Sequence, residues 1–171
     1  MPRMQMSFKG LDEYIDFLST LTDHTENAMR SALYAGAKVI ADEVRSQIQA
    51  IPAVTEAANR AAFKNDDVKY RMSEAQKAGL LQGLGVARHE LAAASVNTVV
   101  GFDGYNDVQT EQYPGGQPNQ LVARIYEHGT SYSAKQPFMR KAKNASKAKA
   151  EAVMIQRAEQ YMEAVRRSKG V

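Results

Sequence analysis

The sequence predicts an α+β fold: a small antiparallel β-sheet covered by two long helices, at about 25–50 and 137–167, with a short N-terminal helix and a partly helical insertion or arm at 53–82. Three observations predict it. Apolar residues recur at three- and four-residue steps through both long stretches. The period falls to two between 83 and 101 and again at 121–126. Glycine and proline gather in the connections, as in the YPGGQPN run before 121. A chain of 171 residues fits one domain spanning 1–171.

The elements follow in order. Leu11, Tyr14, Ile15, Leu18 and Leu21 share one face of a short helix after Gly10, with Asp12 and Glu13 at its positive end. Thr22 and Asp23 interrupt it. A second helix starts near Thr25, read as an N-cap, and runs to Ala50. Its stripe is Met29, Leu33, Ala37, Ile40, Val44 and Ile48. Ala28, Ala32, Ala35 and Gly36 are small, so another element packs close to them. Pro52 ends this helix, because a residue before proline avoids the α region.

In 53–82, AVTEAANRAAF reads as a short helix capped by Thr55, KNDD as a turn, and Tyr70–Leu81 as a further helix with Met72, Ala75, Ala78 and Leu81 on one side. Thin, alanine-rich faces mark this region as an excursion from the core. Two strands follow. In the first, Leu84, Val86, Arg88 and Glu90 oppose Gly85, Ala87 and His89; in the second, Val96, Thr98 and Val100 alternate with Asn97, Val99 and Gly101. They join near Ala92–Ser95. A third strand is expected at 121–126, where Val122, Arg124 and Tyr126 alternate with Ala123 and Ile125. Gly129 then turns the chain through a positive φ, and Pro137 opens the last helix. The stripe expected on that helix is Phe138, Ala142, Ala145, Ala152, Ile155, Ala158, Met162 and Val165.

Composition bounds the function. With 44% hydrophobic and 24% charged residues the chain can bury a core. The absence of cysteine excludes disulfides and thiolate metal sites and suits a reducing compartment. No stretch approaches the roughly 20 apolar residues that span a bilayer, and MPRMQMSF lacks the apolar run of a signal peptide. A soluble product, made in a cytoplasm and without a membrane partner, is expected.

Chemistry is sparse. His24, His89 and His128 form no HExxH or other ligand pair, and Glu127 and His128, read as neighbours on a strand, would point to opposite faces. There is no GxSxG, no P-loop and no complete glycine fingerprint. No catalytic, cofactor-binding or metal-binding residues are expected, and the chain is not read as an enzyme.

Charge is uneven. From Lys135 onward there are ten Lys/Arg and three Glu, giving +7, so the rest of a chain of net +3 carries −4. Lys141, Lys143, Lys147 and Lys149 crowd the first half of the last helix, where the dipole disfavours cations. They are candidates to face a partner or passing DNA. The alternative function they suggest is a non-specific DNA-binding module acting through the basic C-terminal helix. The same asymmetry suits subunits that meet head to tail.

Four motifs occur in a telling order: Gly10-Leu11-Asp12-Glu13; the alanine-rich Ala32–Val44; Glu127-His128-Gly129-Thr130; and Pro137-Phe138-Met139-Arg140. In this order and spacing the chain resembles the tail-completion (neck, or minor tail) proteins of long-tailed bacteriophages. The likeness covers both ends well and the middle poorly. Where such proteins place Thr-Gly-x-Leu soon after the long helix, this chain has Ala78-Gly79-Leu80-Leu81, and late, so 53–76 looks inserted. The resemblance implies a virion subunit that forms a ring, expected to be a hexamer. The ring would complete the tail and join the tail-tube protein to the head connector or stopper, with DNA passing through. It implies that Glu127, Gly129 and Thr130 shape a corner, and that Pro137, Phe138 and Arg140 lock the last helix to the sheet.

Overall fold

A computed structural model describes residues 11–66, 69–87, 90–92 and 95–169. Among these, helix predominates, with a small antiparallel ribbon beside it. Helix α1 runs unbroken from Leu11 to Ala50. The expected pair of helices, divided at Thr22–Asp23 with Thr25 as a cap, is one element. Thr, Asp and His each cost a helix interior only about 0.7 kcal/mol or less, far below the cost of proline. α1 does stop at Ile51–Pro52 as expected. There Lys77 Nζ donates to the carbonyls of Gln49 and Ile51, 2.7 Å each, which satisfies acceptors at the helix C-terminus.

Helix α2 (Glu56–Asp66) begins where expected, with Thr55 Oγ1 accepting the Ala58 amide at 3.2 Å. It continues through Lys64–Asp66, read as a turn. Helix α3 (Glu74–Gly83) starts later than expected, at a capping box: Ser73 Oγ accepts the Gln76 amide and Gln76 Oε1 accepts the Ser73 amide. Met72 and Leu80 are wholly buried in the main core. That part of 53–82 is core, not an excursion.

Strands β1 (Leu84–Val86) and β4 (Val100–Phe102) pair antiparallel, Leu84 opposite Phe102; β2 (Glu90–Ala92) and β3 (Ser95–Asn97) pair likewise, Ala92 opposite Ser95. Together they form the expected two strands joined near 92–95. The register moves by one residue between the ladders, since 87–89 stand against 98–99. Arg88 and His89 lie outside the described residues.

The expected third strand is a helix. α4 spans Asn119–His128 and follows Pro118. Val122, Ala123 and Tyr126 are its buried residues, steps of one and four that only a helix puts on one side. The sheet is therefore two-stranded throughout.

Helix α5 (Phe138–Lys169) returns antiparallel along α1. Met154 lies over Gly36, Arg157 Nε donates to Ser31 Oγ at 2.9 Å, and the Tyr161 ring stands 6.4 Å from His24. The close approach expected at Ala28, Ala32 and Gly36 is made by α5. A Cβ on Gly36 would sit 2.5 Å from Met154 Cγ. The buried side of α5 differs from expectation. Phe138, Ala142, Ser146 and Ala150 are buried at four-residue steps, while Ala145, Ala152 and Ile155 are exposed. Small residues win because two long helices in close contact select for low volume at the seam, not for hydrophobicity. Ser146 meets its own need by donating to the Ala142 carbonyl at 2.7 Å.

The core lies at one end of this helical hairpin. Val44, Ile48, Leu80, Phe102, Val122 and Phe138 meet there, with Phe102 and Phe138 edge-to-face at 5.9 Å.

Candidate assembly site

The corner between α4 and α5 holds the residues singled out in the sequence. Gly129 caps α4 with φ 73° and ψ 165°, a region closed to other residues, and its amide donates to the Ile125 carbonyl at 2.7 Å. A Cβ there would meet Lys135 Cβ at 2.9 Å. Gly129 thus turns the chain with a positive φ as expected, but it ends a helix and not a strand.

The loop from Thr130 to Gln136 is tied at both ends. Thr130 Oγ1 accepts the amides of Tyr132 (3.2 Å) and Ser133 (2.9 Å). The Ala134 amide donates to Tyr70, and the Gln136 amide to Tyr126. Pro137 precedes α5, and its carbonyl accepts the Lys141 amide at 3.2 Å. Proline offers no side-chain oxygen to the first turn. Glu127 supplies it from α4: Oε2 accepts the Met139 amide at 2.8 Å and Oε1 the Arg140 amide at 3.0 Å. A carboxylate is thereby held at the positive end of α5, where it offsets the adverse placement of Lys141 and Lys143. Phe138 anchors the same turn in the core.

Next to Glu127, Tyr126 is buried. Its hydroxyl donates to Gln76 Oε1 at 2.9 Å, and Gln76 Nε2 donates to Gln117 Oε1 at 2.8 Å. Burial, with a smaller contribution from the Glu56 charge, pushes the phenol above its ordinary value. This link between α3, α4 and the 103–118 loop was not read from the sequence, because nothing local marks Gln76 or Gln117 as partners.

Beside the corner an open groove of about 610 Å³ runs between α1 and α5. Leu33, Gly36 and Ile40 of α1 form its floor, Met139, Lys143 and Met154 of α5 one wall, and Thr98 and Val100 the other, with Glu127 and Arg140 at one end. Its signal in the sequence was the α1 stripe itself. Met29, Leu33 and Ile40 were taken as covered, whereas α5 packs on the neighbouring small residues and leaves Met29 47% exposed.

The four lysines do not share a face. Lys143 borders the groove, while Lys149 lies with Asp42 and Glu43, and Lys141 with Gln47 and Pro52, on the other flank. Lys147 is 4.0 Å from Glu151. His128 is exposed at the end of α4. Among the described residues, no three His, Asp or Glu stand close enough together to hold a metal ion. No described helix is long and apolar enough to cross a membrane.

No family model, curated protein or solved structure matches the chain. The likeness to tail-completion proteins rests on the motifs alone.

Proposed function

We propose that this chain is a structural subunit of a bacteriophage neck, forming a ring that completes the tail and joins it to the head connector while DNA passes through. The observation that supports this reading most is the clasp. The two motifs that carry the resemblance, Glu127-His128-Gly129-Thr130 and Pro137-Phe138-Met139-Arg140, are joined by the Glu127 carboxylate to two α5 amides. One rigid corner therefore sets the direction in which a 32-residue helix leaves the core. Such a joint holds surfaces in fixed relation, as a ring of identical contacts requires. The opposed charges of the two parts of the chain suit head-to-tail neighbours.

The non-specific DNA reading gains less, because Lys143 and Lys149 point to different flanks of the α1–α5 pair. The decisive experiment is assembly without this chain. Tails and filled heads should accumulate unjoined, and added purified protein should join them. Infectious particles formed without it would end the proposal.

A further inference from the structure

Helix α1 carries a conflict between sequence and shape. Thr22, Asp23, His24 and Thr25 are four weak helix formers in succession. Asp23 and Glu26 have the spacing of a helix-opening capping pair. The helix nevertheless runs straight through them. Before them lies an amphipathic stretch whose apolar positions, Leu11, Tyr14, Ile15, Leu18 and Leu21, share a helical face. α5 is too short to serve its far end. With His24 beside Tyr161, the same antiparallel register puts the counterparts of Leu11–Ile15 beyond Lys169, where α5 ends. On the same α1 the groove stays open, with Met29 exposed and Leu33 and Ile40 half-buried.

We propose that Leu11–Leu21 is a strap: α1 breaks at Thr22–Asp23, and the strap folds back into the groove of its own chain. Length, polarity and charge all fit. Eleven helical residues span about 16 Å, so a strap turning at 22–23 would lie alongside α1 from Met29 to about Gly36, with its leading end towards Ile40. Its apolar face would cover the floor of the groove. It carries Asp12, Glu13 and Asp16 and no basic residue, while the groove presents Arg140 and Lys143, and the Glu127 carboxylate is already engaged by two amides. Tethering makes the closure intramolecular, at an effective concentration in the millimolar range, so a second copy competes poorly. The straight α1 is then the open form, with groove and strap both presented. This inference does not depend on the neck reading.

The chain has no cysteine, so Asp12→Cys and Lys38→Cys give two unique sites for spin labels, the second on an exposed residue. Along a straight helix the 26-residue separation is about 39 Å. With the strap seated the labels come within about 20 Å, since packed helix axes lie about 8–10 Å apart. The labelled protein, diluted with unlabelled protein, is expected to show the short distance. Adding Leu18→Asp, outside the main core, should restore the long one. A long distance alone in the parent would overturn the proposal. So would a short distance that vanishes on dilution, which would mean that a second copy fills the groove, or one that Leu18→Asp leaves unchanged.

Discussion

Gly129 has both a positive φ and a neighbour where a side chain would begin, the Lys135 backbone and Cβ. Gly129→Val should therefore lower stability by about 2–3 kcal/mol in urea unfolding, through strain at a glycine-only conformation and the displaced loop. Glu127→Ala should cost about 1–2 kcal/mol, as loss of a helix cap does, because the Met139 and Arg140 amides lose their acceptor. Unchanged midpoints for either variant would remove the corner from its structural role. Tyr126 adds a dependence on pH. Its folded pKa is raised, so the folded state keeps a proton that the unfolded chain releases above about pH 10. This contribution is complete below the unfolded value and is lost as pH rises from there towards the folded value. Tyr126→Phe should flatten the alkaline fall in stability, read by thermal melts between about pH 9 and 11. A fall as steep in Phe as in Tyr would assign it to other groups.

At the scale of elements, what the sequence showed depended on how much tertiary context each element needed. α5 was legible because its helical period is sustained over 32 residues, and α2 because Thr55 marks its start. The two strands were legible from alternation, and their joint from its position. α4 was not. In a window this short, Val122, Arg124 and Tyr126 satisfy a period of two, while Val122, Ala123 and Tyr126 satisfy a helix. Packing against α3 and the core decided for the helix. The buried faces of α1 and α5 were misjudged for one shared reason. Periodicity ranks residues by hydrophobicity, but a tight seam ranks them by size, so alanine, serine and glycine lie inside while Met29 and Ile155 remain exposed. Of the candidate site, the corner residues were legible as motifs. Their joining through Glu127 was not, because it spans 12 residues and two helices. Burial is concentrated at one end of the hairpin, which sets an order of opening. In hydrogen exchange, amides at 44–50 and 141–146 should outlast those at 24–32 and 158–168 by at least tenfold. Equal protection along α1 would show that its two ends open together.

The whole molecule pairs a fixed corner with a long helical hairpin and an open apolar groove, surfaces suited to contact rather than to chemistry. The charge split gives the two parts of the chain opposite signs, and contacts between unlike surfaces either close into rings or run on as filaments. The most direct measurement is the mass of the purified chain, alone and after addition of the tail-tube protein, by light scattering. The neck reading predicts a closed ring of defined stoichiometry, expected to be six copies, at least once the tube is present. A monomer that stays a monomer and leaves the tube unbound would contradict it.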